Sequence, residues 1–253
     1  MSALLLTRLV LIQRARRIGG LSAFAALFLI SGITARILVG EGGHVEAGEL
    51  FLVGGYPLVS ALLLLGWLLG RYPLIAALVL LAGVFSDDQA SGYARLYSVR
   101  PRSFFRIYAP RVLALTAIAF LFSAVLLPIF DVLMLGRWSG PSTLVLIACY
   151  VVPYAGLVTL LSVFFRGDAW IALGLGILAM VWDALRRANL LQRSPPGLDE
   201  VVSFVLPPQG PLFRIESAFG NLQPIPWTAV WYVLGYGVVL FLAAAVFVGD
   251  REL

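Results

Sequence analysis

The chain of 253 residues is 61% hydrophobic and only 12% charged, with a formal net charge of +5 at pH 7. Soluble domains carry about a quarter charged residues, and several apolar runs here reach the roughly 18–20 residues that cross a bilayer, so the composition indicates a polytopic membrane protein. The sequence contains no lysine, which excludes a P-loop ATPase and a Schiff-base enzyme because both need one.

The chain has one His and one Cys, His44 and Cys149, and this scarcity excludes further classes. Within one chain there can be no disulfide, no paired-histidine haem site, no H-E-x-x-H zinc motif and no Cys cluster. His44 with Glu41, Glu46 and Glu49 could form an outer metal site, but the Gly-rich surroundings favour a solvated loop. Because the arginines flank apolar runs, they indicate orientation in the membrane rather than nucleic-acid binding.

Residues 1–19 predict a short amphipathic helix on the cytoplasmic surface, since leucines alternate there with arginines that can reach lipid headgroups. The alternative is an extension of the first span, which we predict at 20–39. A cleavable signal peptide is not expected, because Arg8 interrupts the first apolar run and no small-residue cleavage site follows it.

The apolar run 51–85 is interrupted only by Arg71 and would be about 50 Å long as one helix, too long for an upright crossing. Arginine clusters lie before and after it, and both can face the cytoplasm only if an even number of crossings separates them. We therefore expect one crossing near 65–86. Residues 51–64 can then be an outer segment, a re-entrant segment or part of a long helix.

Four more spans complete the predicted topology, at about 109–134, 143–165, 169–185 and 227–249. The last two are separated by an outer segment, residues 186–226, whose two Pro-Pro pairs would break a spanning helix. We predict an all-α polytopic membrane protein, a single transmembrane domain over residues 1–253 with six crossings and both termini inside. Tryptophans near the outer boundaries fit an interfacial belt, namely Trp138, Trp182, Trp227 and Trp231.

Three charged residues, Arg71, Asp131 and Asp183, lie in or near spans and close to the outer side in this topology. Charge inside a membrane is costly and is a functional hypothesis by default, although a residue near the boundary can reach water. Cys149 is expected to be a small core residue. The glycines of residues 172–178 suggest close helix packing, and with it a dimer interface.

The most unusual stretch is the hinge, residues 86–111, which reads SDDQASGYARLYSVRPRSFFRIYAPR between two apolar runs. Ser86 and Gln89 have the spacing of a capping box, and the acids between them suit the positive end of a helix. Pro101 would stop that helix. We therefore predict a short helix on the inner surface at 87–101.

Two residues of this predicted helix bear on function. Gly92 leaves a gap where another backbone could approach. Asp88→Ala is expected to cost at most about 1 kcal/mol of capping and dipole stabilisation. The alternative interpretation is a solvated linker at the membrane surface.

The hinge resembles a segment that recurs after the second span in permease subunits of the type-2 ABC exporter family. That segment has a Glu, two variable residues, Ser-Gly-Thr or similar, a run of leucines, a Pro, a Ser and a basic residue ten positions past the Pro. The residues that match it without a gap are Asp88, Ser91, Gly92, Leu96, Tyr97, Pro101, Ser103 and Arg111. Asp replaces the usual Glu, Tyr93 replaces Thr, and Arg100 stands where an apolar residue is common.

The resemblance implies that the predicted helix is a coupling helix, which docks in a cleft of a separate ATPase subunit. The residues to which it assigns coupling are Asp88, Ser91, Gly92, Arg95, Leu96, Tyr97 and Pro101. This chain would then have no enzyme activity, metal or cofactor of its own, since ATP and Mg would be bound by the ATPase. Two membrane halves are implied, either two copies or one copy with a related permease, in a bacterial or archaeal cytoplasmic membrane.

Two other functions are compatible with the sequence. One is an ATP-driven membrane scaffold that acts on an extracytoplasmic partner, such as a metalloenzyme-maturation system, without classical transport. The other is a lipid-modifying enzyme, which is disfavoured because no paired acids and His gather at one interface. No residue pattern in the spans names a substrate.

Overall fold

The computed structural model describes residues 12–39, 71–90, 104–135, 138, 140–190, 197–220 and 223–251. In that part of the chain the structure is helical and has no strand. The helices are α1 (Ala15–Val39), α2 (Tyr72–Leu81), α3 (Ser86–Ala90), α4 (Phe104–Leu135), α5 (Ser142–Phe164), α6 (Asp168–Arg187), α7 (Leu198–Val205), α8 (Gln209–Gly220) and α9 (Trp227–Arg251). The predicted all-α class is therefore confirmed.

Within the described residues, five segments are long enough and apolar enough to cross a membrane, which supports the prediction of a polytopic membrane protein. They are Tyr72–Ala90, Tyr108–Val132, Ser142–Phe164, Asp168–Arg187 and Trp227–Val248. Large apolar side chains on several of these helices are exposed, including Leu121, Ile177 and Val239. Such exposure is expected of helices that face lipid.

Helix α1 runs without a break from Ala15 to Val39. Residues 15–19 of the predicted surface helix and the predicted first span, 20–39, thus belong to one helix. It packs against α2 and α4. The predictions for residues 1–11 and 51–64 lie outside the described residues.

Helix α5 lies at the centre of the bundle, where it contacts α2, α4, α6, α8 and most extensively α9. Two glycines allow the backbones of α5 and α9 to touch. A Cβ atom on Gly237 would lie 2.6 Å from the carbonyl oxygen of Val152, and a Cβ atom on Gly156 would collide with the carbonyl of Gly237. Only glycine permits such an approach.

The glycines singled out in the sequence, in residues 172–178, behave differently from one another. Gly176 packs against the ring of Tyr154, as close packing predicts, whereas a Cβ atom on Gly174 would meet no atom within 4 Å. The dimer interface suggested for this face stays a prediction.

The predicted crossing near 65–86 contains a break. Helix α2 ends at Leu81 because Ala82 is extended, with ψ 130°, and Gly83 has a positive φ of 69°. The chain then enters the short helix α3 at Ser86. With 10 residues, α2 is about 15 Å long, half the thickness of a hydrocarbon core.

Candidate functional site

The break between α2 and α3 leaves the backbone carbonyl of Ala82 available to side chains. Two arginines near the beginning of α1 bind it. The Ala82 carbonyl accepts a hydrogen bond from Arg14 Nη1 at 2.6 Å and another from Arg17 Nη1. The same Arg17 nitrogen lies 3.4 Å from the carbonyl oxygen of Val79. The beginning of α1 is therefore held against the end of α2.

Asp87, in the first turn of α3, supplies the negative charge beside these arginines. Its Oδ2 lies 3.3 Å from both Arg14 Nη1 and Arg17 Nη2. Its carboxylate also occupies the space that a side chain on Gly83 would need. Burial, with the charges of Arg17 and Arg111, lowers the pKa of Arg14 to about 10, so Arg14 stays charged at neutral pH.

Asp88 pairs with an arginine from the start of α4. Its Oδ2 accepts a hydrogen bond from Arg111 Nη1 at 2.8 Å, and each side chain is only 11% exposed. Arg111 Nη2 donates a further bond to Gln13 Oε1 at 3.2 Å. We call the five residues Arg14, Arg17, Asp87, Asp88 and Arg111 the clamp.

Helix α6 joins the clamp from a third side through Asp168. The backbone N–H of Gly83 donates to Asp168 Oδ2 at 2.7 Å, and the N–H of Ala169 donates to Oδ1 at 2.8 Å. The turn after α2 is thus satisfied by side chains from α1 and α6. The arginines and acids that the topology predicts to be inside lie together at this end of the bundle, the hinge end.

The predicted capping box is not formed. The Oγ of Ser86 is buried and has no hydrogen-bond partner among the described residues, and the N–H of Gln89 bonds to the Phe85 carbonyl instead. The physical reason is that the preceding turn continues into α3 and supplies the carbonyls that its first N–H groups need. Two acids do lie in the first turn, as predicted, but they bind arginines rather than only the helix dipole.

The structure brings together the first and last matched residues of the hinge, Asp88 and Arg111. The other residues to which coupling is assigned lie outside the described part of the chain, and they are Ser91, Gly92, Arg95, Leu96, Tyr97 and Pro101. The suggested outer metal site, with His44, Glu41, Glu46 and Glu49, is also outside it. Among the described residues, no group of three or more His, Cys, Asp or Glu side chains could hold a metal ion.

A second polar cluster surrounds Arg71. Arg71 Nη2 lies 3.8 Å from Glu216 Oε1, and the hydroxyl of Tyr150 donates a hydrogen bond to the same oxygen. One turn further along α5, the Tyr154 hydroxyl accepts a bond from Gln209 Nε2 at 2.6 Å. The ion pair and this hydrogen bond from the Gln209 amide fix helix α8 to the spans.

The position of this cluster is compatible with the expectation that Arg71 lies near the outer side, because Arg71 directly precedes Tyr72–Ala90, one of the segments able to cross a membrane. Tyr150 and Tyr154 lie about 12 and 18 Å from the start of α5, close to the middle of a span of that length. Arg71 is about 15 Å from the clamp along α2, at the opposite end of that helix. Glu216, which pairs with Arg71, comes from the predicted outer segment.

The predicted outer segment, 186–226, is divided as its prolines indicate. Helices α7 and α8 are separated by Pro207 and Pro208, and α8 packs into the bundle against α5, α6 and α9. Sequence reasoning singled out Arg71 but missed Glu216 and the tyrosines of α5. The available signal was a lone acid in an apolar stretch and two tyrosines one turn apart.

The other charged residues singled out in the spans have simpler surroundings. Asp183 pairs with Arg187 at 3.0 Å on the same helix. Asp131 lies about one turn before the end of α4. Cys149 is fully buried in α5, as predicted.

No family model, curated protein or solved structure matches this chain.

Proposed function

We propose that this chain is the membrane-spanning permease subunit of an ABC transporter, with six crossings and a coupling helix in the hinge. A separate ATPase subunit would hydrolyse ATP, and the chain would couple that hydrolysis to export. The observation that carries the proposal is the Asp88–Arg111 salt bridge. These residues open and close the segment that resembles the exporter permeases, and they meet at 2.8 Å across 23 positions of sequence.

The clamp supports a role in passing force from the hinge to the spans. Asp88 lies in α3, which follows α2 after the turn at Gly83, and Arg111 lies in α4, so a push on residues 91–103 would act on both of these regions at once. Both side chains of the pair are largely excluded from water. Charges in such buried surroundings interact more strongly than charges at a surface. A desolvated salt bridge between the two ends of the hinge is a firmer connection than the solvated linker of the alternative interpretation.

Helix α2 could transmit a displacement from the hinge end to the opposite side of the bundle. One end of α2 follows Arg71, which pairs with Glu216 of α8, and the other end is held by the clamp. A displacement of α2 driven at the inner surface would therefore reach the segment between the last two spans. That segment is where an exporter would release its substrate.

The proposal includes partners that this chain does not supply. Two ATPase subunits would bind ATP and Mg, and a second copy or a related permease would complete the membrane part. The complex would lie in a bacterial or archaeal cytoplasmic membrane.

Purification of the tagged chain from its native membranes in mild detergent, followed by native mass spectrometry, tests the proposal. We expect two membrane subunits and two ATPase subunits in one assembly. An additional protein from the outer side, with the ATPase retained, would favour the scaffold function instead. An active assembly without any ATPase would refute both.

A further inference from the structure

A pocket of about 220 Å³ lies on the far side of the bundle from the clamp. Its walls come from the last turns of α6, the end of α7, the beginning of α8 and the first turns of α9. It is open on one side and large enough for several water molecules, and hence for a small ionised group.

The charges that line the pocket leave one cation in excess. Asp183 is neutralised by Arg187 at 3.0 Å, and Arg186 by Asp199 at 3.0 Å. The third charged group of the lining is Arg214, for which the described residues provide no carboxylate within ion-pair distance. A guanidinium without a neighbouring carboxylate can bind an anion, and its planar fork of donors matches a phosphate group.

Helix α7 indicates how deep this pocket lies. It exposes Val201, Phe204 and Val205, which share one face at helical spacing. On another face Asp199 accepts a hydrogen bond from Trp182 Nε1 at 3.1 Å, which holds α7 against α6. A short helix with one exposed apolar face and one polar face is suited to lie at the boundary between headgroups and acyl chains.

Aromatic side chains mark the same depth. Trp231 and Tyr232, in the first turns of α9, are exposed, and Tyr232 lines the pocket. Trp and Tyr are enriched at membrane interfaces because their rings are apolar and their polar atoms reach water. These rings indicate that the mouth of the pocket faces the headgroup level, whereas its Gln209 wall lies deeper, beside Tyr154.

We propose that this pocket binds the phosphate-bearing headgroup of a membrane phospholipid. The phosphate would contact Arg214, and the acyl chains would extend along the exposed apolar surfaces of α7 and α9. The inference rests on the pocket alone and does not depend on the proposed permease function.

Native mass spectrometry of the purified protein tests this, with phosphatidylglycerol and a diacylglycerol of the same acyl chains as probes. We expect the wild-type protein to retain phosphatidylglycerol and to lose the diacylglycerol, which has no phosphate. Arg214→Gln should weaken retention of phosphatidylglycerol by about tenfold, the effect of losing one charge-assisted hydrogen bond. Arg166→Gln, which removes an exposed arginine at the hinge end, is the matched control and should retain the lipid like the wild type.

A second substitution at Arg214 and a competition with inorganic phosphate identify which part of the lipid the pocket binds. Arg214→Lys keeps the charge without the planar fork, so its retention should fall between those of the wild type and Arg214→Gln. Equal retention by these three proteins, or equal retention of the two lipids, would overturn the proposal. Displacement of phosphatidylglycerol by excess inorganic phosphate would assign the pocket to a free phosphate group rather than to a lipid.

Discussion

Asp88 and Arg111 form a salt bridge with an Oδ2–Nη1 distance of 2.8 Å, in which each side chain is 11% exposed. The pair closes the base of the hinge and ties the end of the α2–α3 region to the start of α4. Its burial changes the expected contribution of Asp88 to stability, for which the residue pattern suggested only capping and dipole stabilisation. The neighbouring Asp87 provides a natural comparison, since its side chain is 54% exposed and its arginine contacts are longer, at 3.3 Å.

Asp88→Asn should lower the free energy of unfolding by about 3–5 kcal/mol, because it leaves the charge of Arg111 buried and uncompensated. Asp87→Asn should cost less, about 1–3 kcal/mol, because Arg14 is buried but keeps its hydrogen bond to the Ala82 carbonyl. Denaturant unfolding of both variants in detergent measures the difference. Asp88→Asn with Arg111→Gln should cost less than the sum of the single changes, and strict additivity would show that the pair is not coupled.

The Arg71–Glu216 pair should hold α8 in the bundle. Glu216→Gln should cost about 1–3 kcal/mol, because it removes the half-buried carboxylate that pairs with Arg71 and accepts the hydrogen bond of Tyr150. Limited proteolysis should also cut within residues 209–220 faster than in the wild type. Glu200→Gln removes an exposed acid from α7 and is the matched control, for which we expect no change in either measurement.

A double substitution separates charge from packing at this pair. Arg71→Met with Glu216→Leu replaces the ion pair by apolar side chains and should recover most of the lost stability. A double variant as unstable as Glu216→Gln would show that the ion pair itself is not what fixes α8.

The crossing of α5 and α9 should not tolerate a methyl group at Gly237. Gly237→Ala places a Cβ atom 2.6 Å from the backbone oxygen of Val152, so the helices must separate, at a cost of about 1–3 kcal/mol or more. Gly174→Ala, in open space on α6, should be neutral or stabilising by up to about 1 kcal/mol because alanine favours helix. Thermal unfolding in detergent compares the two. Equal stability of the two variants would be inconsistent with the close crossing.

The spans bounded by clear helix-end signals could be predicted from the sequence. The predictions 143–165, 169–185 and 227–249 correspond to Ser142–Phe164, Asp168–Arg187 and Trp227–Arg251. These apolar runs are flanked by Gly, Pro or charged residues, which are local signals for helix ends.

The break after α2 and the pairing of Arg71 with Glu216 could not be predicted in the same way, because both depend on contacts between residues that are distant in sequence. The turn at Gly83 is satisfied by Arg14, 68 residues from its partner Ala82, and by Asp168, which is 85 residues from Gly83. Sequence periodicity carries no information about such pairings. Asp88 and Arg111 were found because a family resemblance placed both in one segment.

The predicted topology assigns the hinge to the cytoplasm and the segment 187–225 to the outside. Cys149 is the only cysteine, so single-cysteine variants can be built in a Cys149→Ala background. In intact cells, a membrane-impermeant maleimide should label a cysteine at the exposed position of Glu200 and fail to label one at Ala90. Labelling at Ala90 from outside would refute this orientation.

The most direct test of the permease function is the association of the ATPase with a Gly92→Trp variant. If the hinge docks into the ATPase, a bulky side chain at Gly92 should block close approach while the spans stay inserted. We predict normal insertion, weakened co-purification of the ATPase and loss of substrate-linked ATP hydrolysis in membranes. Gly167→Trp, in the turn between α5 and α6 where a Cβ atom meets nothing within 4 Å, is the control and should behave like the wild type. Wild-type association and turnover in Gly92→Trp would contradict the account and leave the hinge as a linker.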